Sequence, residues 1–357
     1  MHSSRRRFLG GLLAAGAVPV PTWADAGAPA FVSAAGRPDG SFVLCGIART
    51  LDIVFEIPLP ARGHAAAAHP TRPEAVAFAR RPGTFAVVIN CVTGAAKARL
   101  EAPDGRHFYG HGAFSQGGDI LYTTENDYEA GRGRIGIWDV AGGYRRIGEF
   151  DSGGIGPHEI KRLPHSDTLV VANGGIDTHP DSGRAKLNIP TMQSNLSYLE
   201  GGRVVETAGL PRALQKNSIR HLAVAQDGTV AFGMQWQGEG AVGALVGQHR
   251  RTEALALIAT TPEQARALDG YIGSVAFTAD GARIAATSPR GNLLHLYGAA
   301  QGVLEAAVDI EDVCGAAPLE EGFVVTSGTG GIARIAGAQN QQSRFAKYAW
   351  DNHLVAI

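Results

Sequence analysis

Short apolar runs, most of them alternating with polar residues, recur along the chain and are separated by glycine-containing turns. A period of two marks half-buried strands. A helical period is almost missing outside the stretch from Thr261 to Leu268. One unit repeats: a His or small residue, an apolar run, a turn, and a second apolar run. It is clearest in His111-Gly-Ala-Phe-Ser-Gln-Gly-Gly118 with Ile120-Leu-Tyr-Thr-Thr124, in His221-Leu-Ala-Val-Ala-Gln-Asp-Gly228 with Val230-Ala-Phe-Gly233, and in Ser274-Val-Ala-Phe-Thr-Ala-Asp-Gly281 with Ile284-Ala-Ala-Thr287. Weaker copies begin at His64, His158 and Gly315, and a last one, His353-Leu-Val-Ala-Ile357, stops after one strand.

Successive starts lie 47, 47, 63, 53, 41 and 38 residues apart, close to the length of one four-stranded propeller blade. Seven starts predict an all-β, seven-bladed β-propeller. The last copy lacks three strands, and three apolar runs, Phe31 to Ala35, Phe42 to Ile47 and Asp52 to Pro58, belong to no other copy. The ring is expected to close by pairing the C-terminal strand with these N-terminal ones, which leaves no open sheet edge. Six or eight blades and a two-sheet sandwich are the competing arrangements. An α/β enzyme is disfavoured, because no glycine-rich phosphate loop sits between a strand and a helix.

Composition adds to this picture. Glycine, 48 of 357 residues, suits a chain with many tight turns. Thirty-two basic and 33 acidic residues leave a formal net charge of -1, so no global field draws in nucleic acid or an anionic membrane. Cys45, Cys91 and Cys314 are too few and scattered for a disulfide framework. Ser4-Arg5-Arg6-Arg7-Phe8-Leu9, an apolar run from Gly11 to Val20 and the small-residue exit Ala24-Asp25-Ala26 read as a twin-arginine signal peptide over residues 1–26. The apolar run is too short to span a bilayer, and no second one follows. Residues 27–357 are then a single propeller domain, expected in the periplasm and exported already folded, a route compatible with a preloaded metal or cofactor.

In a propeller the first strand of each blade lines the axis and starts at one mouth of the central channel. That frame sends His64, His111, His158, His221 and His353 to equivalent positions around the axis, with Ser274 and Gly315, next to Cys314, at the other two. The connections between second and third strands open on the same face. They carry Glu125 and Asp127, the long segment with Asn173, His179, Asp181, Arg184 and Lys186, and also Gln235 and Arg290. Neutral imidazole is a common ligand for iron, copper and zinc. The five ring histidines, with His179 and Glu125, Asp127 or Asp181 as carboxylate partners, are therefore the candidate metal ligands. Arg290, Arg184 and Lys186, with Asn173 and Gln235, are candidates for holding an anionic ligand or cofactor. The alternative use of each ring histidine is structural, bonding neighbouring blades. His69, His165, His249 and His295 fall in turns or outer strands and are expected to be solvated.

Leu121-Tyr-Thr-Thr-Glu-Asn-Asp127, Gly156-Pro-His-Glu-Ile160, Asn173-Gly-Gly-Ile-Asp-Thr-His-Pro-Asp181, Ser218-Ile-Arg-His221, Gly270-Tyr-Ile-Gly-Ser274, Ser288-Pro-Arg-Gly291 and Trp350-Asp-Asn-His353 together carry a resemblance over nearly the whole chain. The chain resembles an uncharacterised bacterial family of twin-arginine-exported propellers, a domain-of-unknown-function family whose genes tend to lie beside imelysin-type iron-uptake genes. Gln193-Ser-Asn-Leu196 departs from the Pro-Ser-Leu expected after the long loop. The resemblance implies a connection with periplasmic iron, with periplasmic or outer-membrane iron-uptake proteins as partners, and supplies no activity. Binding or handling of a metal or metal-bearing ligand is the leading expectation. A metal-dependent oxidoreductase, lyase or lactonase with Arg290 holding an anionic substrate, and a scaffold that docks a partner on its loop-rich face, are the others.

Overall fold

A computed structural model of the chain describes residues 20–80, 84–183, 185–320, 322–336, 339–345 and 347–357. The twin-arginine motif and Arg184 lie outside the described residues. Seven antiparallel sheets follow one another around an axis, six of four strands and one of five. Blade 1 is built from Gly63–Ala68, Glu74–Ala79, Phe85–Asn90 and Ala96–Glu101, and blade 2 from Arg106–Phe114, Ile120–Asp127, Arg132–Asp139 and Arg145–Asp151. Pro157–Arg162, Leu169–Asn173, Asn195–Glu200 and Arg203–Gly209 form blade 3, while Asn217–Val224, Val230–Trp236, Val246–His249 and Ala256–Ile258 form blade 4. Blade 5 runs through Ser274–Phe277, Arg283–Ser288, Leu293–Gly298 and Val303–Asp309, and blade 6 through Val313–Leu319, Gly322–Ser327, Gly331–Ala336 and Gln339–Phe345.

Blade 7 closes the ring as the strand count expects. Phe31–Gly36, Phe42–Ile47 and Ile53–Leu59 are completed on the axial side by two short C-terminal pieces, Ala349–Trp350 and Val355–Ala356. Ala35 faces Trp350 and Val32 faces Val355, both antiparallel. The chain's two ends are thereby hydrogen-bonded into one sheet.

Sequence explains where each strand sits. Axial strands such as Gly-His-Ala-Ala-Ala-Ala in blade 1 are small, which lets the blades converge. Second strands such as Glu74–Ala79 are buried along their whole length, because neighbouring blades cover both faces. Outermost strands such as Arg145–Asp151 alternate exposed and half-buried positions. Apolar side chains from adjacent blades interlock into the core, as where Val76 and Phe78 of blade 1 meet Phe108, Phe114 and Leu121 of blade 2. The predicted helix is present as Pro262–Ala267, with Thr261 capping it by accepting from the Gln264 amide at 3.2 Å. Among the described residues no helix is long and apolar enough to cross a membrane.

The segment before blade 7 is itself packed on the propeller. Trp23–Ala26 forms a turn of 3₁₀ helix, the Trp23 indole N–H donates to the His69 carbonyl at 3.0 Å, and Ala26 is buried beside Val32 and Ile57. The segment that ends in the small residues expected at the leader's exit is thus held to blade 1 by Trp23 and packed on blade 7 by Ala26.

The axial strands are irregular where the histidines stand. Register shifts interrupt them between Gly63 and Ala66, Phe108 and Gly112, Pro157 and Glu159, and Ile219 and His221. A further shift lies between Val313 and Ala316, and blade 7 is broken between Trp350 and Val355. A bulge inserts a residue and re-aims the side chains around it. Hydroxyls on the neighbouring second strands brace the irregular backbone: Thr124 Oγ1 donates to the His111 carbonyl at 3.2 Å, Ser33 Oγ to that of His353 at 2.7 Å, and Thr287 Oγ1 to that of Cys314 at 2.6 Å.

Candidate metal centre

The bulges gather all five predicted histidines at the axis. His64 has ring-centroid separations of 5.0 Å to His111, 5.8 Å to His158 and 4.7 Å to His353. His111 lies 4.9 Å from His158 and 4.5 Å from His353, and His221 lies 5.0 Å from His158 and 5.3 Å from His353. Five blades each contribute one imidazole. The other two place Ser274 and Gly315 at the equivalent positions, and Ser274 Oγ accepts from the Ala316 amide at 3.3 Å. His111, His158, His221 and His353 are buried, while His64 is half-buried. Gly110 lets the ring pack this closely: its φ is +98°, and a Cβ there would stand 2.5 Å from His64 Cδ2.

Two donor sets converge, each with its atoms within 4.8 Å of one another: His64 with His111 and His158, and His111 with Glu159 and His353. Three donors spread evenly about one ion at about 2.1 Å stand about 3.6 Å apart, so donors as far apart as 4.8 Å would each have to move inward by up to about 0.7 Å to share it. His158 Nδ1 lies 3.1 Å from the Arg220 carbonyl. That bond puts the proton on Nδ1 and leaves Nε2 with a lone pair, the outer-shell arrangement usual for metal-binding histidines. Among the described residues, His64 Nδ1, His111 Nε2, His221 Nδ1 and His353 Nε2 are buried without a hydrogen-bond partner.

Glu159 was missed in the sequence because strict alternation sends neighbours to opposite faces, and His158 had claimed the axial side. The bulge between Pro157 and Glu159 lets both reach it. Glu159 Oε1 pairs with Lys161 Nζ at 2.9 Å and lies 4.0 Å from His111 Nδ1; Oε2 accepts from the Leu222 amide at 3.1 Å and stands 3.6 Å from His221 Nδ1. Asp351 is a second buried carboxylate, 3.7 Å from His64 Nδ1 and paired with Arg62 Nε at 2.9 Å and Arg80 Nη1 at 3.1 Å.

Electrostatics sets the charge of each group. Burial holds the imidazoles of His111, His158 and His353 well below the usual histidine range; neighbouring ring histidines reinforce it in all three, Arg220 in His111 and His158 and Lys161 in His111, while Glu159 opposes it in His353. His221 is lowered for the same reason, with Glu159 opposing. Burial raises the Glu159 carboxyl, but Lys161, His221 and His353 together outweigh it and keep it well below the usual carboxylate range. In Asp351 likewise, His64, Arg80 and Arg62 outweigh burial. Neutral imidazoles and ionised carboxylates are the forms that bind metals. Beneath the ring a cavity of about 330 Å³ is lined by His111, Glu159, Lys161, Leu222, Ser274 and His353 among others.

The structure does not bring the other expected ligands to the axis. Alternation along Ile120–Asp127 turns Glu125 over Gly136 toward the outermost strand, where Arg146 engages it at 2.6 and 3.0 Å. Asp127 pairs with Arg106 at 3.5 Å and Arg134 at 3.6 Å. His179 lies between Glu129 at 3.4 Å and the exposed Asp181 at 3.7 Å. None of these four belongs to a convergent donor set among the described residues. Asn173 is buried in a network with Ser152, Asn195 and Ser197. Lys186 reaches Gln237, and Gln235 Nε2 donates to the Ile272 carbonyl at 3.2 Å and lies 3.5 Å from His221 Nε2. Cys314 is a buried free thiol raised by burial, and Cys45 and Cys91, also free, are pushed up to about 12.

The expectation of solvated outer histidines holds for His165, which is exposed, and fails for three others. His69, His249 and His295 are buried because neighbouring blades cover the outer strands. His69 Nε2 lies 3.1 Å from the Gly118 carbonyl, His249 Nδ1 2.7 Å from Tyr198 Oη, and His295 Nδ1 2.8 Å from Tyr297 Oη.

Solved structures share the architecture. A chain of hydrazine synthase from Kuenenia stuttgartiensis superposes with a TM-score of 0.61 and 14% identity, covering 84% of this chain and 92% of that one. A chain of a mitotic checkpoint complex gives a TM-score of 0.57 and 13% identity over 78% of this chain and 79% of that one. Both likenesses are of fold alone. No curated protein matches the sequence significantly. The family model described as "Protein of unknown function (DUF1513)" matches residues 57–357, and the chain belongs to that family.

Proposed function

We propose that the protein binds a transition-metal ion at its axis, through His64, His111 and His158 with His353, His221 and Glu159 adjoining, and that it does so in the periplasm after twin-arginine export. One observation carries the metal reading: imidazole nitrogens from four blades are buried at one place, His111 Nε2 and His353 Nε2 with no hydrogen-bond partner and His64 Nδ1 and His221 Nδ1 facing only carboxylates 3.7 and 3.6 Å away. Each such group costs about 1–3 kcal/mol if left unsatisfied, and a single cation satisfies several together. Imidazole donors suit iron, copper and zinc, and the pairing of His111 and His353 with Glu159 has the two-histidine, one-carboxylate composition of non-haem iron sites. Lys161 is the competitor for Glu159, so recruitment of that carboxylate requires the ammonium to move away. The export proposal is supported by Ser4-Arg5-Arg6-Arg7-Phe8-Leu9 alone.

Chelator-stripped protein titrated with Fe²⁺, Cu²⁺ and Zn²⁺, with bound metal measured after gel filtration, tests the site. Stoichiometric binding that is lost in the His111→Ala, His158→Ala double variant is expected. Absence of binding, or unchanged affinity in a folded double variant, overturns it. Fractionation of cells making the parent and an Arg5→Lys, Arg6→Lys variant tests the location.

A further inference from the structure

A second cavity, of about 270 Å³, lies outside the histidine ring and is lined by Arg62, Arg80, Tyr271, Pro289, Arg290, Asp312, Cys314, Trp350 and Asn352. Arg62 and Arg80 flank the first two strands of blade 1 and stand side by side, the Arg80 amide donating to the Arg62 carbonyl at 2.9 Å. Arg290 follows the second strand of blade 5. Its guanidinium carbon lies 4.6 Å from the centroid of the Tyr271 ring, a cation–π contact that orders the side chain. Asn352 Nδ2 donates to Tyr271 Oη at 3.3 Å and holds that ring in turn.

Three guanidiniums share this cavity with two carboxylates, Asp351 behind it and Asp312 in its wall. Asp351 engages Arg62 through Nε and Arg80 through Nη1. A guanidinium has five N–H donors, so each arginine keeps further donors for a ligand. Trp350 also lines the cavity; it is 2% exposed, and its indole N–H is buried without an acceptor. Asp312 opposes an anion, and burial followed by Glu311 and Asp351 already raises its carboxyl above the usual range. Pro289 and the Trp350 ring supply apolar walls.

We infer that this cavity binds a small organic oxyanion, with Arg62 and Arg80 gripping it from blade 1 and Arg290 from blade 5. Planar guanidinium forks match carboxylate and phosphoryl oxygens alike, and the apolar walls favour a carbon-bearing ligand over a bare ion. Asp351 connects the two sites by touching both arginines and, at 3.7 Å, His64. The anion site nevertheless stands on its own residues and does not require the axis to hold metal.

Isothermal titration of chelator-stripped full-length protein with malonate, succinate and inorganic phosphate tests the inference. Saturable binding of at least one probe is expected, weakened about tenfold or more by Arg290→Gln and by Arg62→Gln and weakened again by added salt. Tighter binding of the dicarboxylates assigns a carboxylate ligand; tighter binding of phosphate assigns a phosphoryl ligand. Both substituted side chains are exposed, so the variants should fold, and circular dichroism confirms it. Failure of all three probes at millimolar concentration, or parental affinity in both folded variants, overturns the inference. His111→Ala and His158→Ala leave anion binding intact, which separates this outcome from failure of the metal reading.

Discussion

Mild acid should destabilise the metal-free protein strongly. Each buried ring histidine titrates near 6.5 when unfolded and is depressed when folded. Below 6.5 the unfolded chain therefore takes up protons that the folded one refuses, and stability is lost as the pH falls. A group whose folded value lies far below its unfolded one loses about 1.4 kcal/mol between about pH 7.5 and 5.5. His111, His158 and His353 together give up to about 4 kcal/mol, a large part of the 5–15 kcal/mol of an ordinary domain, and His221, where Glu159 opposes the shift, adds less. Outside the ring, His295, lowered by burial to about 4, adds nearly as much as one ring histidine, and His69, lowered by burial, adds a further amount. Glu159 and Asp351 stay ionised throughout this window and contribute little. Urea unfolding of chelator-stripped protein at several pH values is the assay, with a His111→Gln, His353→Gln variant to remove part of the slope. Stability that is flat between about pH 7.5 and 5.5, or an undiminished slope in the folded double variant, refutes the reasoning.

Other outcomes follow from single contacts. Gly110→Ala should lower stability by about 1–3 kcal/mol and weaken metal binding, because the new Cβ meets His64 in a left-handed backbone conformation; thermal melts and a metal titration read both effects. Glu74→Gln should cost about 2 kcal/mol by loosening the buried bonds from Tyr144 Oη at 2.7 Å and Lys97 Nζ at 2.6 Å. The Glu74 carboxyl is raised by burial but lowered further by Lys97, Tyr144 and Arg72. Its stabilisation is therefore present above about pH 4.5 and lost below, and the parent-minus-variant difference should vanish in strong acid. A chain beginning at Gly27 should melt below one beginning at Val20, since it loses the Trp23 bond to the His69 carbonyl and the burial of Ala26. Thr287→Val should cost about 1 kcal/mol through the 2.6 Å bond to the Cys314 carbonyl, measured by urea unfolding.

The fold was legible because a propeller repeats one simple pattern. Ser274 to Gly281 and His221 to Gly228 align residue for residue, and each alignment fixes both a blade and the residue at its axial start. The five histidines followed from that register. Glu159 did not, because its route to the axis depends on a bulge that leaves no mark in a pattern of period two. Arg62 and Arg80 stand just outside their strands and meet only through backbone pairing, so spacing could not join them to Arg290, far along the chain. Glu125 and Asp127 were placed on the correct connection, but alternation and the nearby Arg146, Arg106 and Arg134 turn them into ion pairs within blade 2. His69, His249 and His295 looked like turn and outer-strand residues, yet the flat face of one blade covers the next and leaves such positions dry.

Anomalous diffraction from crystals grown with Zn²⁺ or Co²⁺ addresses the metal directly. The account predicts one strong peak on the propeller axis, about 2.0–2.2 Å from nitrogens of at least three of His64, His111, His158, His221 and His353. Crystals soaked at saturating metal with no axial peak, and water alone between the imidazoles, would contradict it.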